Sequence, residues 1–358
     1  MKNLKLNSNI HNYEVIFKKD LSFLNKLTQL EKKVFIIDKN VYKLYKNEFK
    51  DIDKNELYLF YAIEKNKTLK SVEKIYRFLA KFNAKKNITI ISIGGGITQD
   101  VTGFVASTLY RGINWIFIPT TFLAQADSCI GSKTSLNFKT YKNIIGGFYP
   151  PHKIYVAPNF LKTLTKKDFY SGIGEVIKFA LLEEKYPKDI KAIVDKIENL
   201  KNGKNELKVI KGTMAIKKRY IDEDEFDTGK RNLFNYGHCF GHALENSSKY
   251  KIPHGIAVII GMIFANIVSL NRKLISEKKY KQLNEKLFLP NIHIKLKKGY
   301  FNKNILLESM KNDKKRVGKD LTIILPKDDN IRAIKVNDFS FDEFNKSYNH
   351  LLEILKIR

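Results

Sequence analysis

The chain has almost no cysteine: two in 358 residues, Cys129 and Cys239, standing in separate segments. That excludes a disulfide framework and the small secreted folds such frameworks hold together. It also lacks a run of about 18 apolar residues that would span a membrane. Its opening residues, MKNLKLNSNI, lack the apolar core of a signal peptide. The expectation is a chain of the reducing cytoplasm with no membrane partner. Acidic residues are scarce as well: 37 Asp and Glu face 65 Lys and Arg, for a formal charge of +28. Such an excess marks some nucleic-acid binders. Here, however, the lysines are spread over the whole chain in helical periods and loops, and Lys, Asn and Ile abound together as a compositional habit. No nucleic-acid partner is expected, and a basic cleft for a small anionic substrate accounts for the charge equally well.

The length supports a large core and a division into two domains. In the first half, β-branched and aromatic runs recur: VFIID (34–38), ELYLFYAI (56–63), ITIISI (88–93) and WIFIP (115–119). Between them lie stretches of helical period, notably residues 68–82, where Leu69, Val72, Ile75, Phe78 and Leu79 have core spacing. Strands alternating with helices predict a mainly parallel sheet with helices on both faces. From Phe160 onward the strand signals fade. Residues 169–183, 206–220, the histidine-rich segment 231–262 and residues 341–357 read as helical, with LTIILP (321–326) a short strand as exception. The boundary is expected near Pro158, giving domains 1–157 and 158–358. No internal repeat or low-complexity linker interrupts either half.

The ITIISI strand runs into Gly94, Gly95 and Gly96, followed by ITQDVTGFVAS, a helix by its pattern. A glycine turn from strand to helix lets backbone amides approach a phosphate, and the helix N-terminus favours the negative charge. The dinucleotide fingerprint G-x-G-x-x-G fails at its third glycine, where Gln99 stands, so a tight turn alone also explains the glycines. Asp38, ending the VFIID strand, is a candidate for ribose hydroxyls or an ordinary strand-ending Asp. Residues 120–151 read as a helical pattern interrupted by polar groups. There Asp127, Lys133, Lys142 and Asn143 stand among small residues, as the lining of a polar pocket would.

Segment 231–262 holds three of the seven histidines, His238, His242 and His254. No Pro interrupts residues 239–245, so His238 and His242, four apart, share a helix face. With His254 and a carboxylate they could clasp a divalent metal; as a bare pair they could equally be core or surface histidines. Cys239 and His242 spell C-x-x-H, but no second Cys completes a zinc finger. Glu175 and Lys178, three apart on one helix, read on their own as a surface ion pair.

In order along the chain stand GGGITQDVTGFVAS, YRGINWIFIPTTFLAQADSCIGSKTS, KNIIGGFYPP, SGIGEVIK, LFNYGHCFGHALE and HGIAV. In this series, over roughly residues 30–330, the chain resembles the 3-dehydroquinate synthase family. The wider group includes sugar-phosphate cyclases such as 2-deoxy-scyllo-inosose synthase and 2-epi-5-epi-valiolone synthase. The resemblance implies an α/β N-terminal NAD-binding domain and an α-helical C-terminal metal-binding domain. It implies one divalent metal, zinc or cobalt, on Glu175, His238 and His254, which moves His242 from ligand to substrate-facing or proton-relaying residue. It implies NAD contacts at Asp38, Glu64, Lys67, Gly95, Gly96, Ile97, Asp100, Thr120, Thr121, Asp127, Lys142 and Thr163. Substrate contacts are implied at Lys133, Asn143, Lys178, Lys217, Arg231, Asn235 and Lys314, with Arg111 reaching a neighbouring subunit's site in a homodimer.

The implied reaction is the shikimate-pathway conversion of 3-deoxy-arabino-heptulosonate 7-phosphate to 3-dehydroquinate and phosphate. A transient oxidation by NAD acidifies the neighbouring C–H, phosphate is eliminated, the ketone is reduced again, and an intramolecular aldol addition closes the carbocycle. Cationic and amide donors in a dry cleft suit a substrate bearing carboxylate and phosphate. This chain departs from the family pattern at four places. Ser132 replaces the second glycine of Gly-Gly-Lys, Gln99 replaces a glycine, Ile256 replaces the Glu of His-Gly-Glu, and Tyr236 replaces a leucine. The Ile256 change removes a carboxylate expected beside a metal ligand. Competing readings are a cyclase acting on another phosphorylated sugar, and a metal- and NAD-dependent polyol dehydrogenase, which would not need Lys133, Asn143, Lys217 and Arg231.

Overall fold

Runs such as Lys33–Asp38 and Thr89–Gly94 are apolar at successive positions, so they fit only a strand buried on both faces. The structure, a computed structural model, bears this out and describes residues 3–82, 84–139, 141–185, 189–311 and 321–357. It divides into two compact units, Met1–Leu164 with Lys217–Phe226, and Thr165–Ile216 with Asp227–Arg358.

The first unit is built on strands β1 (Leu4–Leu6), β2 (Tyr13–Phe17), β3 (Lys33–Asp38), β4 (Leu57–Phe60), β5 (Thr89–Gly94) and β6 (Asn114–Pro119). A hairpin β7 (Lys133–Phe138) and β8 (Tyr141–Phe148) then precedes β9 (Lys153–Val156). The sheet order is β1-β2-β9-β6-β5-β3-β4, parallel throughout except for β1 against β2. Phe35, Ile37, Ile91, Ile93, Ile116 and Ile118 form one core with Phe23, Phe49 and Phe160. Helix α1 (Leu69–Lys81) starts where the Thr68 hydroxyl accepts the Ser71 amide, and it buries Val72, Ile75 and Leu79. Leu69 does not join them: in the first turn it is 45% exposed. Helix α2 (Gly96–Thr108) follows the glycine turn.

The expected helical pattern over 120–151 is corrected. Only its start is helical, where Phe122 and Leu123 lead into a π-turn at Ala124–Ser128, and β7 and β8 then pair antiparallel. The pairing is close at Gly146, where a Cβ would stand 2.0 Å from the Thr134 carbonyl oxygen, and that close approach excludes any larger residue.

The second unit is helical, with α3 (Lys166–Leu181), the first part of α4 (Glu206–Glu223), α5 (His238–Ser247), α6 (His254–Asn271) and α7 (Phe341–Ile354) among its elements. Among the described residues two strands, not one, occur here: β10 (Leu321–Lys327) pairs antiparallel with β11 (Arg332–Phe339). The second was missed because its exposed face carries alternating charges and it shows no apolar run. Helix α6 has the length and hydropathy of a membrane span, yet it is buried within its unit, with Gly255 through Ser269 inside. It is the core helix against which α3, α5 and α7 pack.

The approach of α3 and α5 to α6 is set by glycines. A Cβ on Gly174 would lie 2.1 Å from the Gly255 carbonyl oxygen, and one on Gly255 would lie 1.7 Å from that of Ser171. The Ser171 hydroxyl accepts the Gly255 amide at 3.0 Å. Likewise Gly237 (φ +79) lies against the backbone of Val258 and Met262, and Gly261 against the Gly237 carbonyl. We expect Gly174→Ala to force α3 from α6 and lower unfolding free energy by about 3 kcal/mol, the upper end of overpacking costs. Denaturant unfolding with a wild-type midpoint would contradict this.

Candidate active site

Two groups of chemistry-bearing side chains are built, one in each unit. In the helical unit Gly174 is followed by Glu175 and Gly255 is preceded by His254, so both side chains leave the chain at the same helix crossing. Glu175 is fully buried, and neither of its carboxylate oxygens receives a well-formed hydrogen bond. Lys178 pairs with its Oε2. Oε1 faces the Nε2 atoms of His254 at 3.4 Å and of His238 at 3.5 Å. Ligand atoms about 2.0–2.1 Å from a tetrahedral zinc stand about 3.4 Å from one another. Both spacings from Glu175, to His238 and to His254, thus fit ligands of one divalent cation.

His242 adds a third imidazole. One nitrogen from each of His238, His242 and His254 falls within 4.8 Å of the others, and His242 is the exposed member. Each inner ring is held from behind. Nδ1 of His238 lies 3.2 Å from the Tyr236 carbonyl oxygen, and Nδ1 of His254 lies 3.2 Å from Glu245 Oε2.

Charge follows this geometry. Burial favours a neutral Glu175, but Lys178 and His254 outweigh it and hold the carboxyl far below the usual range. Burial, with Lys178, His254 and His242 beside it, pushes His238 well below its ordinary pKa, leaving a neutral imidazole with a lone pair for a metal. Burial also opposes charge on His254, yet Glu245 and Glu175 hold its pKa up at about 10. A cation entering here displaces that proton.

Lys178 is buried, with Nζ 4.6 Å from the Phe179 ring centroid and 5.5 Å from that of Phe234. Arg231 is buried in the turn Lys230–Asn235, and the Asn235 amide donates to the Asn232 carbonyl at 2.8 Å. Lys314 lies outside the described residues.

In the α/β unit the sheet order reverses between β3 and β5, since the chain goes from β3 outward to β4 and returns on the other side. Ligands of open parallel sheets bind at the carboxyl ends of strands at such a point. There stand Asp38, the glycine turn with Ile97, and Thr120 with Thr121 after β6. The Asp38 carboxylate accepts the Asn40 amide at 2.9 Å and caps the next helix, and burial raises its pKa. A Cβ at Gly95 would meet the Thr121 methyl at 2.9 Å, and one at Gly94 the Thr98 hydroxyl at 2.4 Å. The turn is therefore a cradle of bare backbone opening on a helix N-terminus that no side chain caps, which fits a pyrophosphate.

Beside it the β7–β8 hairpin gathers five of the expected residues. Buried Lys67 pairs with Asp100 and donates to Asn143 Oδ1 at 2.5 Å. Asp100 accepts the Ser135 amide at 3.0 Å, and Glu64 receives Asn137 at 2.8 Å with Lys142 at 3.6 Å. Ser135 also donates its hydroxyl to Asn143 Oδ1, and the Asn137 side-chain Oδ1 accepts the Asn143 backbone amide, both at 3.0 Å. Ser135 and Asn137, absent from the expected set, are thus its organisers. Their signal was a polar residue at alternate positions of a strand. Buried Lys217 pairs with half-buried Asp127 at 2.6 Å.

Three expected residues stand outside these groups. Lys133 is exposed at the start of β7. The Thr163 hydroxyl meets Tyr45 at 2.9 Å. Arg111 is exposed just past the C-terminus of α2, the end of that helix remote from the glycine turn.

The departures from the family pattern have local partners. Gln99 clasps Ser128, donating to its carbonyl at 2.7 Å and accepting its hydroxyl at 2.8 Å, which ties α2 to the π-turn. Ser132 sits at φ +66, the conformation that favours glycine. The Tyr236 hydroxyl is buried and donates to Asn266 at 2.6 Å, where leucine would need no partner. Ile256 is buried in α6, and the carboxylate beside His254 comes from Glu245 instead.

Two solved cyclases share this fold. One is 2-epi-5-epi-valiolone synthase from Streptomyces hygroscopicus subsp. jinggangensis, solved with NAD+ and Zn2+ (TM-score 0.82, 22% identity, 95% of this chain and 97% of that one). The other is 2-deoxy-scyllo-inosose synthase in complex with carbaglucose-6-phosphate, NAD+ and Co2+ (TM-score 0.77, 23% identity, 94% and 95%). Residues 58–171 match the 3-dehydroquinate synthase N-terminal family and residues 172–316 the 3-dehydroquinate synthase C-terminal family. The 3-dehydroquinate synthase of Clostridium tetani is 38% identical over 338 residues, 90% of this chain and 83% of that protein. The fold is that of the sugar-phosphate cyclases. Within it, the chain belongs to the 3-dehydroquinate synthase family, carbon–oxygen lyases.

Proposed function

We propose that this protein converts 3-deoxy-arabino-heptulosonate 7-phosphate to 3-dehydroquinate and phosphate, with bound NAD and one divalent metal, zinc or cobalt. It works in the cytoplasm as a homodimer in which Arg111 reaches the partner's site. Residues 1–157 carry the NAD contacts apart from Thr163, and residues 158–358 carry the metal and most of the substrate contacts. The observation that carries the reading is the buried Glu175 with two imidazoles at tetrahedral ligand spacing.

When bound, NAD supplies reversible removal of a hydride from a secondary alcohol, and the metal supplies a Lewis acid. Glu175, His238 and His254 would hold the metal. Asp38, Gly95, Gly96, Ile97, Thr120 and Thr121 would hold NAD along the strand ends, with Glu64, Lys67, Asp100, Asp127, Lys142 and Thr163. Lys178 and Lys217 bring positive charge fixed in place by Glu175 and Asp127, so no reorganisation is needed when phosphate or carboxylate charge arrives. Lys133, Asn143, Arg231, Asn235 and Lys314 complete the anion-binding set. His242, exposed beside two half-buried rings, can exchange protons with substrate and water without leaving the cluster.

Incubated with NAD, Zn2+ or Co2+ and the heptulosonate phosphate, the protein should release one phosphate per substrate with no net accumulation of NADH. Net NADH formed from a simple polyol, without phosphate release, would favour a dehydrogenase instead. Ligand and relay are separated by substitution. His254→Ala should lose both metal and turnover, whereas His242→Ala should keep near-stoichiometric metal while phosphate release slows by about 10²–10⁴-fold. Elemental analysis showing an empty site in His242→Ala and a full one in His254→Ala would reverse the assignment.

A further inference from the structure

Glu245 stands on α5 three residues past His242 and seven past His238, so the carboxylate shares a helix face with both rings. It is buried, with 6% of its side chain exposed, and its Oε2 lies 3.2 Å from Nδ1 of His254, the first residue of α6. The other nitrogen of the same ring is the one 3.4 Å from Glu175 Oε1. His254 is thus gripped on one nitrogen and presented on the other. A buried carboxylate costs several kcal/mol unless it is paired, and the pairing here is directed at an imidazole edge. The carboxylate the family carries two residues after this histidine is Ile256 here, sealed in the core. No other acidic side chain is paired with His254 Nδ1 among the described residues.

We propose that Glu245 is a positioning residue for the metal centre. Its carboxylate accepts the Nδ1–H of His254, fixes the tautomer whose Nε2 lone pair faces Glu175, and makes that nitrogen the more basic of the two imidazole ligands. His238 receives the same orientation from a neutral acceptor, the Tyr236 carbonyl, at 3.2 Å. The centre is therefore asymmetric, with one imidazole backed by a carboxylate and one by an amide. The assignment rests on the metal reading above.

Zinc affinity of the metal-stripped full-length protein, read at one pH against a competing chelator, tests it. Glu245→Gln keeps an acceptor oxygen and should hold zinc within about tenfold of wild type. Glu245→Leu removes the acceptor and should weaken binding by about 10–100-fold, the usual effect of losing such a partner. The d–d absorption of the Co2+-loaded protein should shift in Glu245→Leu and stay in place in Glu245→Gln, a pattern that mere loss of packing would not give. Equal zinc affinity and an unchanged cobalt spectrum in Glu245→Leu overturn the proposal while leaving the metal reading intact; a wild type that takes up no zinc overturns both. Should Glu245→Leu not fold, the ring nitrogens of the zinc-loaded wild type decide. Nitrogen-15 correlation must find His254 protonated at Nδ1, and protonation at Nε2 overturns the proposal.

Discussion

Two helix backbones in direct contact at Gly174 and Gly255 are the constraint on which the helical unit of this protein depends. Neither position admits even a methyl group, because the opposing carbonyl already occupies the space. Each glycine neighbours a metal-ligand candidate, so the contact that excludes a side chain also brings Glu175 and His254 to one point. Gly237 repeats the device one helix away. Its left-handed turn against α6 launches α5 with His238 as the first helical residue. Glu175, His238 and His254 come from three separate helices, and backbone contact fixes their separation more firmly than side-chain packing would.

Pairing and burial set a few lysines of so basic a chain apart from the rest. Lys67, Lys178 and Lys217 are buried, and each is held by a carboxylate: Asp100, Glu175 and Asp127. Most of the others lie on the surface, where charge is solvated and screened. The +28 of the composition is therefore a poor guide to the proposed sites, and burial with pairing is not sufficient either, since Lys33 is also buried and paired with Glu56 away from them. A cation removed from water and fixed by an anion keeps its orientation when substrate charge arrives, and that orientation is what an elimination of phosphate requires.

Much of this was legible in the sequence for identifiable reasons. Buried parallel strands announce themselves as apolar runs, and β3, β5 and β6 stand within a residue of their expected bounds. The spacing of His238 and His242 predicts a shared face, and they share it. Contacts between residues distant in the chain were not legible by period. Glu175 lies in another helix from the rings it meets and read as a surface ion pair until the family resemblance joined them. Glu245 closes the motif LFNYGHCFGHALE, and its partner His254 comes from the next helix. The β7–β8 hairpin was hidden because Ser135, Asn137 and Asn143 are polar on the face that turns toward Lys67 and Glu64, the reverse of a strand packing on a core. The departures at Gln99, Ser132 and Tyr236 became intelligible once Ser128, the backbone angle and Asn266 were in view.

The central claim is that the crossing of α3, α5 and α6 assembles one metal centre from a carboxylate and two imidazoles. X-ray absorption at the zinc edge of the loaded protein tests it most directly. The account predicts a first shell of nitrogen and oxygen at about 2.0–2.2 Å, with multiple scattering from two imidazole rings and no sulfur. Three rings would move His242 into the shell in place of Glu175. A sulfur shell at about 2.3 Å would bring in Cys239, and either result would contradict the centre described here.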